Sequence, residues 1–162
     1  MHETMVPATD LVRLFDAVPD VVFFIKNHDG RYTHVNATLV RRLGLQRKTE
    51  VTGHAPADLF PAPLGISYSQ QDRLVLAGRS LENHLEVHLF PNSSPGWCLT
   101  RKLPIRSGAE VSGLVGVSRD LRSPDPRHPV YPRLMRDASV ERGLIVPAGG
   151  SAPAPCRRWS AR

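Results

Sequence analysis

Three segments between Leu81 and Ser118 alternate apolar with polar or small residues, and this period of two restricts the fold more than any other feature of the chain. Leu81, Leu85, Val87 and Leu89 alternate with Glu82, His84, Glu86 and His88, a pattern that predicts one strand face in the core and one in water. Asn92-Ser-Ser-Pro-Gly96 predicts a turn, Trp97 to Ile105 a second strand, Arg106-Ser-Gly-Ala109 another turn, and Val111 to Ser118 a third strand. Strands joined by such tight connections pair antiparallel.

Upstream the texture differs. Thr9 or Asp10 is placed to cap a short helix whose Leu11, Leu14, Phe15 and Val18 fall at i, i+3, i+4 and i+7, and Pro19 ends it. Asp20 to Lys26 is β-branched and aromatic, Asn27-His-Asp-Gly30 is a turn, and Arg31 to Val35 returns as a strand, which together predict a hairpin. Asn36 caps a helix carrying Leu39, Val40 and Leu43 up to Gly44, and a short segment Lys48 to Val51 follows. Pro56, Pro61 and Pro63 break the next stretch into turns around Asp58, before a longer helix over Ser67 to Ala77. Two strands, a string of short helices and three more strands give an α+β domain: a five-stranded antiparallel sheet with short helices packed on one face.

Residues 1–10 form an N-terminal extension and 11–121 the folded domain. Beyond Leu121, seven of the 15 prolines accumulate. That segment, 122–162, is expected to be a largely disordered basic Pro/Ala/Arg-rich tail, with a turn or two of helix within Val130 to Ile145. The net charge of +6 resides there: residues 1–121 hold 13 basic and 12 acidic side chains, whereas 122–162 hold eight arginines against three acids. A nearly neutral folded part argues against specific nucleic-acid binding by this chain. The longest apolar run is Val21 to Ile25, far short of the roughly 20 residues of a membrane span, and the first ten residues lack a signal-peptide core. A cytoplasmic protein with reduced Cys98 and Cys156 is expected.

Several segments, in order and at matching spacing, resemble a PAS domain over Leu11 to Leu121. They are Val18-Pro-Asp-Val-Val-Phe-Phe-Ile-Lys26, Asp29-Gly-Arg-Tyr-Thr-His-Val-Asn36, Leu43-Gly44, Glu50-Val-Thr-Gly53, Gln71-Asp72 with Gly78, Trp97 to Pro104, and Gly113-Leu-Val-Gly-Val-Ser-Arg-Asp-Leu121. The variant is similar to the sensory PAS domain at the amino terminus of AraC-type bacterial transcription regulators, in which a segment like Arg119 to Tyr131 leads into helix-turn-helix motifs. No such helix pair follows Arg133 here, so the output domain is expected to be missing through truncation or frameshift.

The resemblance implies a sensory or dimerising module whose sheet and helices enclose a small-ligand pocket. Small residues Gly113 and Gly116 would leave room on the last strand. Expected lining residues are Phe23, Ile25, Val35, Leu39, Leu43, Leu59, Leu74, Leu85, Val87, Leu99, Leu103, Val115 and Val117, although the same residues could simply pack on one another. A stand-alone interaction module with a filled core is therefore the alternative, and a haem or flavin sensor a further one. The stripe Leu11, Leu14, Phe15 and Val18 either covers its own sheet or pairs with a second copy, and a homodimer is favoured.

The cofactor is left open. Ser67 to Ala77 offers no histidine to a haem, Gly53 to Asp58 carries no flavin-reactive cysteine, and His54 reads as a surface histidine. His84, Glu86 and His88 share a strand face but are spread by roughly 6 to 7 Å per pair of residues, so a solvated face is expected and no metal. Asp58 and Asp72 read as capping or turn residues, and no catalytic constellation is recognised.

Overall fold

The computed structural model describes residues 5–89 and 95–121. The elements are α1 (Ala8–Asp16), β1 (Val21–Asn27), β2 (Tyr32–Val35), α2 (Ala37–Arg42), a 3-10 turn (Lys48–Glu50), α3 (Pro56–Leu59), α4 (Ala62–Leu76), β3 (Leu81–Leu89), β4 (Pro95–Ser107) and β5 (Glu110–Leu121). The five strands form one antiparallel sheet in the order β2-β1-β5-β4-β3, the expected α+β class. The expected tail over 122–162, its helical turn and most of the Asn92 to Gly96 turn lie outside the described residues.

Local signals account for much of this. The β1–β2 hairpin turns where Gly30 takes φ +76°, and Asn27 Oδ1 accepts from the backbone N–H of Asp29 and of Arg31, both at 3.0 Å. Asn36 caps α2 as expected, its Oδ1 accepting from Leu39 N at 3.4 Å. The same oxygen accepts from Phe23 N at 3.0 Å, while Nδ2 donates to Phe15 O at 3.0 Å and Val21 O at 2.7 Å. One buried amide thereby joins α1, β1 and α2.

Two helices depart from their expected bounds. Helix α1 starts at Ala8 after Pro7, so neither Thr9 nor Asp10 caps it. Helix α4 begins at Ala62 rather than Ser67, because Pro63 falls in the first turn, where a missing N–H and a fixed φ are tolerated.

The sheet has two unlike faces, set by its register. Val22, Phe24 and Lys26 of β1 pair with Ser118, Gly116 and Leu114 of β5. Thr100 and Lys102 of β4 oppose Ser118 and Gly116, and His84 and Glu86 of β3 oppose Thr100 and Cys98. Paired residues project to the same side, so all of these share the face on which α4 packs. Val22, Phe24, Tyr32, Val35, Leu39, Val51, Leu64, Tyr68, Val75 and Leu114 build the core there. On the opposite face, Phe15 of α1 stacks on Phe23 with ring centroids 4.5 Å apart.

Candidate functional site

The inner face buries charge. Lys26 and Lys102 are each 2% exposed, and both donate to one carboxylate, that of Asp72 on α4, which is also 2% exposed. Lys102 Nζ donates to Asp72 Oδ1 at 2.7 Å, and Lys26 Nζ donates to Oδ2. The ammonium of Lys26 lies 4.3 Å from the Tyr32 ring centroid and 5.0 Å from that of Phe24, and Lys102 stands 5.8 Å from Phe24 and 5.9 Å from Tyr68. Aromatic faces thus supply the partial negative charge that water would otherwise provide.

A second carboxylate sits beside this cluster. Glu86 Oε2 accepts from Gln71 Nε2 at 2.8 Å, and its Oε1 accepts from the Thr100 hydroxyl, which lies 2.6 Å from the Ser118 hydroxyl. His88 is buried against the rings of Phe60 (5.8 Å) and Tyr68 (6.0 Å). With both ammonium groups protonated, two lysines and two carboxylates balance in formal charge, the condition on which ions persist out of water.

Burial pulls the Lys26 ammonium down from 10.5 to about 7; Asp72 opposes this, and Lys102 repels it further down. Burial acts to raise the Asp72 carboxyl, but Lys102 and Lys26 outweigh it and hold the group below its ordinary range. Burial raises the Tyr32 and Tyr68 phenols well above 10.0, and it pushes the Cys98 thiol up as well.

Val22, Phe24, Lys26, Tyr32, Leu39, Phe60, Tyr68, Glu86, His88, Lys102 and Ser118 line a hollow of about 20 Å³. That is room for roughly one water molecule. The space expected at Gly116 is taken by the Phe24 ring, whose Cζ would lie 2.4 Å from a Cβ added there. A Cβ at Gly113 would meet the Lys26 carbonyl oxygen at 2.3 Å, so this glycine serves a close backbone approach.

Of the expected lining residues, Leu39 borders the hollow, Val35 is buried in the same core, and Leu43 and Leu59 pack against it. Phe23, Ile25, Leu99, Leu103, Val115 and Val117 project instead from the other sheet face, because the inward positions of β1, β4 and β5 are those in phase with Phe24, Lys102 and Gly116. Leu85 and Val87 alternate with the inward Glu86 and do not line the hollow, and Leu74 is 48% exposed on α4. His84, Glu86 and His88 do not form a wet face; they turn toward α4. Among the described residues, no group of three or more His, Cys, Asp or Glu is placed to hold a metal ion.

Asp58 accepts from the Ala55 N–H at 2.9 Å, a capping role, whereas Asp72 is neither cap nor turn but the counter-ion of the two lysines. His54 is exposed, 3.9 Å from Asp58. On α1, Phe15 covers its own sheet, Leu11 is half-buried and Leu14 is 65% exposed, whereas Val18, 36% exposed, lies beyond the end of the helix at Asp16 rather than on its stripe. Among the described residues no helix is long and apolar enough to cross a membrane.

Sequence reasoning missed Lys26, Asp72 and Lys102. The usable signal was the pair of inward-phase lysines two residues after Phe24 and Thr100, but apolar residues on both faces of β1 hide which phase is inward.

Residues 15–124 match the profile of the PAS fold. The chain belongs to the PAS fold family. No curated protein sequence matches it. Among solved structures, this PAS chain is similar to the Vibrio cholerae VqmA dimer, described as a LuxR-type receptor in the absence of target DNA: 22% identity, TM-score 0.59, 72% of this chain and 52% of that one. A phage VqmA–DPO complex is 23% identical with a TM-score of 0.55, covering 82% of this chain and 58% of that one. A PAS domain from Colwellia psychrerythraea is 16% identical, TM-score 0.55, covering 70% of this chain and 95% of that one. These are likenesses of the PAS fold, and the chain spans about half the length of the VqmA chains.

Proposed function

We propose that the described domain is a cytoplasmic sensory PAS module whose inner compartment receives a small ligand, hydrogen-bonded by Lys26 and Lys102, as the input half of a transcription regulator. The observation that carries this is the buried charge. Desolvating each ion costs several kcal/mol, and an apolar replacement of equal volume commonly stabilises a fold as well or better. Ions buried against aromatic rings and beside a hollow are what a recognition site requires and what a mere core does not.

Support for the regulator comes from two directions. Arg119 to Tyr131 resembles the connection in AraC-type regulators, and VqmA, similar in fold, is solved as a dimer that has a target DNA and, from a phage, with DPO bound. Ligand sites commonly exceed about 300 Å³, so binding here requires the Phe60 and Tyr68 walls to move away from the sheet. Native mass spectrometry of protein purified from its host tests the reading. A bound small molecule that is lost in Lys102→Met is expected; a ligand-free mass for both proteins refutes it.

The small hollow and the exposed Leu14 and Val18 favour a second reading, a stand-alone module that dimerises through α1 and binds nothing. It gives a doubled native mass with no added ligand.

A further inference from the structure

We infer that the ligand is a small organic acid whose carboxylate takes the place Asp72 holds between Lys26 and Lys102. This deepens the reading proposed above and rests on it.

The two lysines already form a carboxylate site. Asp72 offers one oxygen to each ammonium, Oδ1 to Lys102 at 2.7 Å and Oδ2 to Lys26. The cations come from β1 and β4, which flank β5, and β5 contributes only Gly116 at the row shared by Phe24 and Lys102. The Phe24 ring lies over Gly116 and forms an apolar floor, 5.0 Å from the Lys26 ammonium and 5.8 Å from that of Lys102. The sheet half is fixed by backbone pairing, whereas the anion arrives from the helical layer, on α4.

With both lysines protonated, as they are below about pH 7, charge balance selects the ligand class. Glu86 is engaged by Gln71 and Thr100, so Asp72 is the carboxylate that answers the lysine pair. An added anion would leave the compartment net negative in a low-dielectric setting, whereas exchange for Asp72 preserves neutrality. A cationic ligand would face two ammonium groups, and a neutral one could not replace the charge that Asp72 supplies. The rings of Phe24, Tyr32 and Tyr68 offer apolar walls to the body of the acid. Exchange also has a structural output: it releases the ion pairs by which α4 is tied to β1 and β4.

The test is chemical rescue of Asp72→Ala, which empties the carboxylate position. Thermal unfolding is followed at about pH 6.5 with acetate, with acetamide as the neutral isostere, and with sodium chloride at equal ionic strength. Acetate at about ten times its dissociation constant is expected to raise the folded-to-unfolded ratio roughly tenfold, a midpoint shift of about 5 °C. Acetamide and chloride leave the midpoint unchanged, and adding Lys102→Met removes the acetate effect. A variant that yields folded protein only when acetate is present reports the same result through yield. Equal stabilisation by acetate and acetamide overturns the acid while keeping a ligand compartment. A folded variant stabilised by neither overturns the compartment as well, and failure to fold with either additive also counts against the exchange.

Discussion

Raising the pH from about 7.5 to about 9 should stabilise this domain, and one buried ammonium sets the size of the effect. Lys26 titrates at about 7 when folded and at 10.5 when exposed. Below about pH 7 both states carry the proton and the burial cost is present in full. Between the two values only the unfolded chain retains it, so stability rises with pH by about 1.4 kcal/mol per unit. Over one and a half units the gain is about 2 kcal/mol, which moves a urea midpoint by roughly 1 M for a domain of this size. The groups facing Lys26 are Asp72 on α4, Lys102 on β4, Glu86 on β3 and Tyr32 on β2. Asp72, held low, stays ionised across the window, so its contribution is lost only in acid. Above about pH 9 the raised Cys98, Tyr32 and Tyr68 act in the opposite sense, because the unfolded chain loses those protons first. Equilibrium urea unfolding at several pH values checks this in the parent and in Lys26→Met. A flat or falling parent midpoint, or an equal slope in Lys26→Met, refutes the argument.

Other perturbations have equally definite outcomes. Gly116→Val places its Cβ 2.4 and 2.6 Å from Phe24 ring carbons and 3.2 Å from the Arg101 carbonyl, so it should cost about 1–3 kcal/mol; an unchanged urea midpoint would show that the ring moves freely. Asn36→Ala strands the Phe23 and Leu39 N–H groups and two carbonyls, a loss of about 3 kcal/mol or more by the same measurement. Leu14→Glu, on the exposed side of α1, should leave stability within about 0.5 kcal/mol yet convert a dimer to a monomer in light scattering. Equal masses for parent and variant would exclude pairing through this helix.

The order of elements was legible because each rests on a local rule. Asn36 and Gly30 announced their cap and turn, and the period of two announced β3 to β5. The phase of that period was not legible. Trp97, Leu99 and Leu103 are apolar and in step, so hydrophobicity alone assigns them inward, yet the core side carries Cys98, Thr100 and Lys102. Both lysines share one carboxylate from a distant element, and a single residue does not disclose whether its counter-charge lies 30 or 46 positions away. Lysine is among the residues least often buried, so a sequence argument places Lys26 and Lys102 in solvent by default.

Strand β5 is both the last described element and the middle of the sheet, bonded to β1 along one edge and to β4 along the other. Its position imposes an order on assembly: the β1–β2 hairpin and the β3–β4 ribbon can each form early, but they have no seam until a strand some 90 residues downstream of β1 is available. A nascent or prematurely ended chain that stops short of Gly113 would present the unpaired borders of β1 and β4, ready to recruit the same border of another copy.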